Sequence, residues 1–504
     1  MGADDGPISA EQVDIRLQPL NKSGAHADGA EGADEEIGDQ IQLRVYKQRW
    51  IVLLTVALLN NTNTMSWIGY APSGNYVNSF YGESSAAWLS MIYMLCTIPV
   101  GLFAMWAGRE WGLRTAILIA GWTNGIGAVI RVISSLDFVP EDLRFPICMT
   151  GQGIAAIAYP FIMFLPTKVA GSWFPDTQRA IATTIGVMSN PLGVLMANLI
   201  SPAIVKSPDH VIWLNIFTCV PSLAAMLIAT PKIPPTFSAS KPQMDFVSGM
   251  KSCFSSKQYI ILLIVMGGGI GMFNCLYTVM LELLCPSGYS NFFSGVCAAL
   301  MIVGGVFGAA ASGFFVDRTK LYEETLKIAL GAAVIFGLIF LQLTLHQGLS
   351  VFLAITCLFF GVLGLATYPI GLELASECTF PVSEATSTGL IVLSGQIQSV
   401  IYVFIMKNFA RPLQPDRMHI QVCQLTPDDT VNTPKDNTMS IMIFSLLATL
   451  LVLALVVLFK PVYKRLEAER GNRATADKAK ELSNQNKDRI TLQAESAVQP
   501  LQEK

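Results

Sequence analysis

Long apolar segments separated by short polar ones occupy most of this 504-residue chain. A helix needs about 20 mostly apolar residues to cross a bilayer. By that rule the sequence predicts six membrane-spanning helices before a polar break, at about 50–72, 86–107, 114–135, 146–167, 180–204 and 211–230. Six more are predicted after the break, at about 258–283, 290–314, 326–345, 350–372, 386–407 and 438–460. The pattern therefore predicts an all-α membrane protein with twelve transmembrane helices in two pseudo-symmetric six-helix halves.

The polar segments divide the chain into predicted domains. Residues 1–43 are acidic and nearly free of aromatic residues, which is typical of a disordered tail. An N-terminal six-helix bundle is predicted over 44–230, and a C-terminal six-helix bundle over 258–460. The segment 231–257, which contains Lys, Pro and Ser, is predicted to link the bundles, and the mixed-charge residues 461–504 form a second tail.

Composition supports a membrane protein and argues against other classes. The chain is 52% hydrophobic and only 14% charged, whereas about a quarter of an ordinary soluble domain is charged. Its 4 histidines and 10 cysteines are dispersed, with no C-x-x-C, Walker, G-x-S-x-G or H-E-x-x-H motif. We therefore predict no enzyme activity, no metal and no cofactor. The expected partners are the lipid bilayer and a small-molecule solute, with no nucleic acid, and the expected state is a monomer.

Basic residues in the loops predict the orientation of the chain. Lys and Arg flanks stay on the cytoplasmic side of transmembrane helices. The short predicted outer loops 73–85 and 284–289 contain none, whereas the long outer loop 409–437 contains Arg411, Arg417 and Lys435 mixed with acidic residues. The predicted inner loops contain Arg109, Arg114, Lys168, Arg179, Arg318, Lys320, Lys327 and the four lysines of the linker. Both termini and the linker are therefore expected in the cytosol, although the pattern does not distinguish the plasma membrane from an internal membrane.

A weak internal repeat marks one helix in each half. Phe174-Pro175 precedes the fifth predicted helix and Phe380-Pro381 precedes the eleventh, and Asn190 and Gln396 lie the same number of residues beyond them. The repeat predicts that the two amides lie near mid-membrane, at one depth on facing helices, as expected of a secondary transporter. The alternative is two unrelated Gly- and Ser-rich helices that pack closely.

A charged motif follows the eighth predicted helix. Gly313, Asp317 and Arg318 fit the G-x-x-x-D-R signature that major facilitator transporters place in this inner loop. Its expected role is that of a gate, because Asp and Arg link helix ends by hydrogen bonds in one conformational state. The alternative is a turn with a surface ion pair of about 0–1 kcal/mol. Glu373 and Glu377 lie on the same predicted side and are expected to pair with Arg318 in the gate.

The matching loop of the first half departs from that signature. Arg109 stands where the signature has Asp, while Gly112-Leu113-Arg114 is retained. Glu110 is the candidate substitute for the missing carboxylate. Arg109, Glu110 and Arg114 are therefore predicted gate residues, and the altered loop leaves the inner gate of this half in question.

Several stretches of the sequence resemble one family of transporters. They are NTMSWIGY at 63–70, WLSMIYML at 88–95, and YPIGLELASECTFP at 368–381 with Gln396 further on. These stretches are similar to the feline leukaemia virus subgroup C receptor family, solute carrier family 49 of the major facilitator superfamily. MSNPLGV at 188–194 indicates its third, less well understood branch. The resemblance covers roughly residues 45 to 405.

This resemblance implies a major facilitator fold and solute passage by alternating access. In the better understood branches the proposed substrates are choline and ethanolamine, with haem as an older assignment. A first-helix Trp and amides of the fifth and eleventh helices line the family's site, and Trp67, Asn63 and Gln396 match family positions. Asn190 also matches, but Pro191 stands where the choline-handling branches have glutamine. That difference removes a donor and an acceptor and puts choline in doubt.

Aromatic residues complete the predicted cavity. Phe273 and Tyr277 are candidates for the seventh-helix aromatic that the resemblance implies. Trp67 and Tyr70 offer π-faces able to hold a quaternary ammonium, an attraction of about 2 kcal/mol when desolvated. The three amides add neutral hydrogen-bonding groups. The alternatives are packing or interfacial aromatics, and amides that form interhelical hydrogen bonds.

Charged residues are scarce within the predicted helices. No Asp or Glu lies mid-helix in the first six spans, where a proton-coupled carrier is expected to hold a carboxylate. Facilitated uniport is therefore favoured. Glu282, near the outer end of the seventh helix, either attracts cations or is a solvated acid at the rim. A rival interpretation, based on the altered first-half gate and the acidic tail, is a receptor or scaffold with a transporter fold that moves no solute.

Two cysteines, Cys285 and Cys423, fall on the predicted outer side. A disulfide between them is compatible with that oxidising setting, but the sequence leaves the pairing open. Most of the other cysteines lie in apolar runs, where a thiol behaves as a small hydrophobic side chain.

Overall fold

A computed structural model describes residues 48–174, 176–231, 245–319, 321–426, 429–461 and 463–464. The α-helices in these residues are α1 (Arg49–Ile68), α2 (Gly74–Tyr81), α3 (Ser85–Glu110), α4 (Gly112–Ser134), α5 (Glu141–Trp173), α6 (Asp176–Ile204), α7 (Val211–Ala229), α8 (Phe246–Ser255), α9 (Lys257–Leu284), α10 (Asn291–Thr319), α11 (Tyr322–Leu343), α12 (Ser350–Thr379), α13 (Glu384–Asn408) and α14 (Thr438–Leu458). Two short strands, β1 (Arg411–Pro412) and β2 (Lys435–Asp436), pair antiparallel. The predicted tail 1–43, most of 461–504 and the 232–244 part of the linker lie outside the described residues.

The predicted number of membrane spans is confirmed. Among the described residues, 12 helical segments are long and apolar enough to cross a membrane, and each predicted apolar run has its helix. The bounds differ mainly where polar residues extend a helix. α5 runs from Glu141 to Trp173, beyond the predicted 146–167, because the polar ends of a helix give no hydropathy signal.

Two further helices were not predicted. α2 continues the first span after a 3₁₀ turn at Ala71–Ser73. α8 lies in the linker, where Gly249 and Cys253 are buried while Val247 and Phe254 remain exposed. A helix of 10 residues with one apolar face is too short to appear as a membrane span, so hydropathy alone missed it.

The spanning helices form two halves that meet along a central interface. In the first half, α1 packs on α6, and α4 packs on α5 and α7; in the second, α9 packs on α13, and α10 on α12. The halves contact each other mainly through α6 with α10 and α3 with α13. Where α6 meets α10, a Cβ atom on Gly295 would overlap the carbonyl oxygen of Asn198. Glycine therefore sets how closely the halves approach.

The two ends of the molecule differ in their covalent structure. Cys285 and Cys423 form a disulfide at the end that holds the loops after α2, α9 and α13, and we call this the disulfide end. The opposite end, with α8, is called the linker end. The pairing that the sequence left open is therefore present in the structure. The Val422 N–H also donates to the Cys285 carbonyl at 3.0 Å, which fixes the segment 409–437 to the end of α9.

Hydrogen bonds across the interface close the disulfide end. Asn432, in the segment 409–437, donates to the Asn75 carbonyl and to the Ser79 hydroxyl, each at 3.0 Å. Asn291 of α10 donates to Asn75 Oδ1 at 2.5 Å. Because Asn75 and Ser79 belong to α2, these bonds join the second half of the chain to the first.

The buried apolar core shows the same asymmetry. Near the disulfide end, one core contains residues from both halves, among them Trp67 of α1 and Leu276 of α9. Towards the linker end each half has its own core, represented by Val56 in the first half and Leu262 in the second. Burial of apolar surface therefore holds the halves together mainly at the disulfide end, whereas towards the linker end the second-half core is contacted from the first half by Met105 of α3.

The disulfide gives a direct test of this arrangement. We expect mass spectrometry of unreduced peptides to find Cys285 linked to Cys423. Replacing both by serine should lower the free energy of unfolding by about 2–4 kcal/mol, because the bond closes a long loop in the unfolded chain. Thermal unfolding of the purified protein measures this, with Cys96→Ser, which removes a free thiol, as the control. Recovery of both thiols in reduced form would contradict the pairing.

Candidate functional site

Three polar aromatic side chains in the shared core have no hydrogen-bond partner. The Trp67 indole N–H and the Tyr93 and Tyr277 hydroxyls are buried, and no group in the described residues bonds to them. Trp67 and Tyr93 belong to the first half and Tyr277 to the second. Leaving a buried polar group unpaired costs about 1–3 kcal/mol. Such groups at an interface between two halves are candidates for contact with a ligand.

Phe273 and Tyr277, the two candidates for the seventh-helix aromatic, lie in one cluster. The Phe273 ring stacks on Phe360 of α12 with centroids 4.6 Å apart, and its centroid lies 6.2 Å from that of Tyr277. The Phe273 ring therefore serves to pack α9 against α12. Of the two, Tyr277 has the free polar group and is the stronger candidate for solute contact.

A tyrosine and a glutamine meet across the interface, further towards the linker end. The Tyr159 hydroxyl of α5 lies beside the Gln396 amide of α13 and near Tyr368 of α12. Gln396 is 3% exposed, so the contact is buried. Gln396 was predicted from the sequence as a cavity residue, whereas neither tyrosine was. A signal was present, because Tyr159-Pro160 and Tyr368-Pro369 are the same dipeptide in the fourth spanning helix of each half.

Asn190 contacts the first helix of its own half. Its Nδ2 donates to Asn60 Oδ1 at 3.1 Å, and Asn60 in turn donates to the Gly186 carbonyl at 2.9 Å. The structure thus places Asn190 between α1 and α6, half-buried. It does not hydrogen-bond to Gln396, the residue with which the repeat pairs it.

Asn63 and Tyr70 lie inside the first half rather than at the interface. Asn63 is fully buried and donates to Asn124 Oδ1 at 3.0 Å and to the Ala155 carbonyl at 2.9 Å. Tyr70 is 1% exposed and donates to Asn215 Oδ1 at 2.5 Å. In this conformation both side chains make the interhelical contacts that the sequence allowed as the alternative to a cavity role.

The predicted gate residues belong to helix segments at the linker end: Arg109, Glu110, Arg114, Asp317, Arg318, Glu373 and Glu377. The Arg318 guanidinium lies over the Phe314 ring, 4.3 Å from its centroid. Glu377 is 5% exposed and takes part in a polar interaction, as do Arg114 and Glu373. The side chains of Arg109 and Asp317 lie outside the described part of the structure, so the Asp-Arg link stays a prediction.

Glu282 forms an ion pair at the rim of the disulfide end. Its Oε1 lies 3.2 Å from Lys407 Nζ, and its side chain is 44% exposed. An exposed ion pair of this kind contributes about 0–1 kcal/mol. The exposed position of Glu282 agrees with one of the two interpretations offered from the sequence, that of a solvated acid at the rim.

A narrow cleft lies between the halves on the linker side of the Tyr159–Gln396 contact. Residues of α3, α5 and α13 line it: Thr97, Gly101, Met105, Pro160, Met163, Gly389, Val392 and Leu393. Its volume is about 10 Å³, which is room for about one water molecule. An organic solute passes here only after the halves have moved apart.

Comparison with known proteins defines the class. The sequence model of the Major Facilitator Superfamily matches residues 53–402. The crystal structure of a D-xylose-proton symporter shares the fold, with a TM-score of 0.59 at 15% identity over 82% of this chain and 97% of that chain. The protein is therefore a member of the Major Facilitator Superfamily, with the two-half, twelve-helix fold that the sequence predicted.

Relatives with similar sequences identify the family within this superfamily. The chain is 92% identical, over 100% of both chains, to Uncharacterized protein B0416.5 of Caenorhabditis elegans. It is 36% identical to Solute carrier family 49 member A3 of Xenopus tropicalis, over 86% of this chain and 91% of the relative. Choline/ethanolamine transporter FLVCR2 of Homo sapiens is 29% identical over 71% of this chain and 72% of the relative. The chain belongs to solute carrier family 49, which confirms the family predicted from its sequence.

Proposed function

We propose that the protein moves a small organic solute across the membrane by alternating access, as a monomeric facilitated uniporter. The observation that carries the proposal is the asymmetry of the interface. The halves share a core and hydrogen bonds at the disulfide end and have separate cores at the linker end. Alternating access needs one end closed and the other free to open in each state. The unpaired groups of Trp67, Tyr93 and Tyr277 lie within the shared part of this interface.

Transport further requires that the closed end opens at modest cost. The bonds that Asn432 and Asn291 make to α2 are between neutral groups, and each contributes about 0.5–1.5 kcal/mol net. Conformations that interconvert differ by a few kcal/mol, so bonds of this strength are suited to a gate. We propose that Asp317, Arg318 and Glu377 provide the corresponding contacts at the linker end in the opposite state.

The proposed solute is a small amine of the kind named for the human relative, choline or ethanolamine. The Trp67 ring is suited to hold an ammonium group, and Tyr159, Tyr277 and Gln396 supply neutral hydrogen bonds. Pro191 offers neither donor nor acceptor, so choline itself is expected to bind more weakly than in a site with glutamine there. A haem-related solute is the second class to test.

Uniport is proposed because carboxylates are missing from the middle of the first half. Among its described residues, the carboxylates that belong to α-helices are Glu110, Glu141, Asp142 and Asp176, and all four lie at helix ends. A proton-coupled carrier is expected to hold such a group in the membrane. The disulfide end is proposed to face outward, with both termini cytosolic, because disulfides persist in oxidising compartments.

Uptake of labelled solutes tests the proposal. Cells or proteoliposomes that contain the full chain are supplied with labelled choline, ethanolamine, haem and any metabolite that accumulates in cells lacking the protein. We expect saturable flux of at least one solute that does not change when the proton gradient is collapsed. Absence of saturable flux for every solute, with a stable protein partner recovered, would favour the receptor or scaffold instead.

A further inference from the structure

A positive charge is buried in the first half, and no acidic residue in the described part of the chain pairs with it. Arg131, in the last turn of α4, is 1% exposed. Its guanidinium donates to the Ser66 hydroxyl at 2.8 Å and, more weakly, to the Thr218 hydroxyl at 3.5 Å. Within the residues that the structure describes, Arg131 forms no ion pair. Removing an ion from water is costly unless an opposite charge replaces the solvent, and the carbonyl end of α4 offsets only part of the charge.

Unused hydrogen-bond donors accompany this charge. The Arg131 Nε–H is buried with no acceptor in the described residues, and so is the Tyr93 hydroxyl. Tyr93, on α3, is directed towards Arg131 and the Ser66 hydroxyl, but the Tyr93 and Ser66 hydroxyls do not meet with hydrogen-bond geometry. Gln152 does not supply the missing charge, because its amide is neutral; its Nε2 donates to the carbonyls of Ser66 and Leu89, and its Oε1 bonds to neither Arg131 nor Tyr93. Two unpaired donors beside an uncompensated cation favour an acceptor that carries negative charge, because charge-assisted hydrogen bonds are the stronger ones.

This cluster adjoins the proposed path of the solute. The Tyr93 ring lies 6.4 Å from the Tyr159 ring, centroid to centroid, and Tyr159 meets Gln396 at the interface of the halves. Ser66, which accepts the bond from Arg131, directly precedes Trp67. A negative charge bound at Arg131 is therefore close to the π-face that would hold an ammonium group.

We propose that Arg131 and Tyr93, with Ser66, form a binding site for an anionic group between α1, α3 and α4. Two sources supply such a group. One is a free small anion such as chloride, bound as a counter-ion. The other is a carboxylate or phosphate of the solute, in which case the solute is a zwitterion whose ammonium lies at Trp67. The first source is independent of the proposed transport function, whereas the second rests on it.

Thermal unfolding of the full chain in detergent measures binding without requiring transport. Sodium gluconate is replaced stepwise by sodium chloride at constant ionic strength, and the unfolding temperature is recorded. If the anion is free, we expect a saturable rise in the wild type, because a ligand that binds only the folded protein stabilises it. The same rise is expected in Arg144→Gln, which removes a partly exposed arginine from the same half, and it should vanish in Arg131→Gln.

Matched solutes distinguish the second source. In gluconate without chloride, ethanolamine is compared with phosphoethanolamine, and choline with phosphocholine. If the anionic group belongs to the solute, the phosphorylated member of a pair raises the unfolding temperature of the wild type and of Arg144→Gln, but not of Arg131→Gln. The site is overturned if neither chloride nor any phosphorylated solute acts more strongly on the wild type than on Arg131→Gln.

Tyr93→Phe separates binding from a purely structural role and remains informative if Arg131→Gln does not fold. It removes only the unpaired hydroxyl, so the anion that stabilises the wild type should bind about 2- to 10-fold more weakly, the equivalent of one hydrogen bond. Arg131→Lys, which keeps the charge, should retain part of the response. A purely structural role would lower the unfolding temperature equally in every salt, and that result would count against the site.

Discussion

Replacing Trp67 by alanine is expected to abolish solute uptake while the protein still reaches the membrane. The side chain is 7% exposed in the core that both halves share, and its N–H bonds to no group among the described residues. An ammonium group held against a desolvated indole gains about 2 kcal/mol, which is roughly a 30-fold change in affinity. Loss of the ring should therefore remove most binding. Initial uptake rates, divided by the amount of protein at the surface, measure the effect.

Two companion variants decide whether the Trp67 ring binds solute or only packs. Trp67→Leu keeps apolar volume but has no π-face, so it should be nearly as inactive as alanine if the ring contacts the solute. If packing alone matters, leucine should restore uptake. Trp213→Ala serves as the matched control, because that tryptophan of α7 is 59% exposed and lies away from the shared core. Unchanged uptake in Trp67→Ala would remove the residue from the site.

Replacing Gly295 by alanine is expected to hold the disulfide end open. A Cβ atom at this position overlaps the Asn198 carbonyl oxygen, a backbone atom that cannot rotate away. Overpacking of this kind costs about 1–3 kcal/mol, which shifts a conformational equilibrium by about 5- to 150-fold. Uptake should fall accordingly, because the state with the disulfide end closed becomes rare.

Accessibility of a single cysteine reports this shift. Ala71→Cys places a thiol at a position that is 5% exposed near the disulfide end, where a membrane-impermeant maleimide reaches it only after the halves part. Labelling should be faster in the Gly295→Ala background. Gly331→Ala on α11 is the control, because a Cβ atom there meets nothing within 4 Å, although the helix propensity changes in the same way. Equal labelling in both backgrounds would show that the contact does not limit closure.

The sequence predicts the membrane-spanning helices well because each must be mostly apolar along the whole length that crosses the bilayer. All of the predicted runs correspond to helices. The short helix α8 was not predicted because only one of its faces is apolar. The polar ends of α5 were not predicted because they extend beyond the hydrocarbon part of the bilayer. The disulfide was left open by the sequence, since the approach of Cys285 and Cys423 depends on how the segment 409–437 folds back.

The site was less accessible to sequence reasoning, because it depends on which face of a helix meets which neighbour. Asn63 and Asn190 are both amides on spanning helices, yet each is engaged by other residues of its own half. Tyr159 and Tyr368 reach the interface, and only a comparison of the two halves would have singled them out. Arg131 lies within the third predicted span, 114–135, but only the packing of the neighbouring helices shows that no acidic residue of the described structure pairs with it.

The bridge that Asn432 builds to α2 makes one surface of the molecule specific to a single state. Asn432 belongs to the second half and α2 to the first, so the two form a continuous epitope only while the disulfide end is closed. An antibody fragment that binds this composite surface would arrest the transport cycle and would also count closed molecules in a population. It would do so without any label on the protein and without knowledge of the solute.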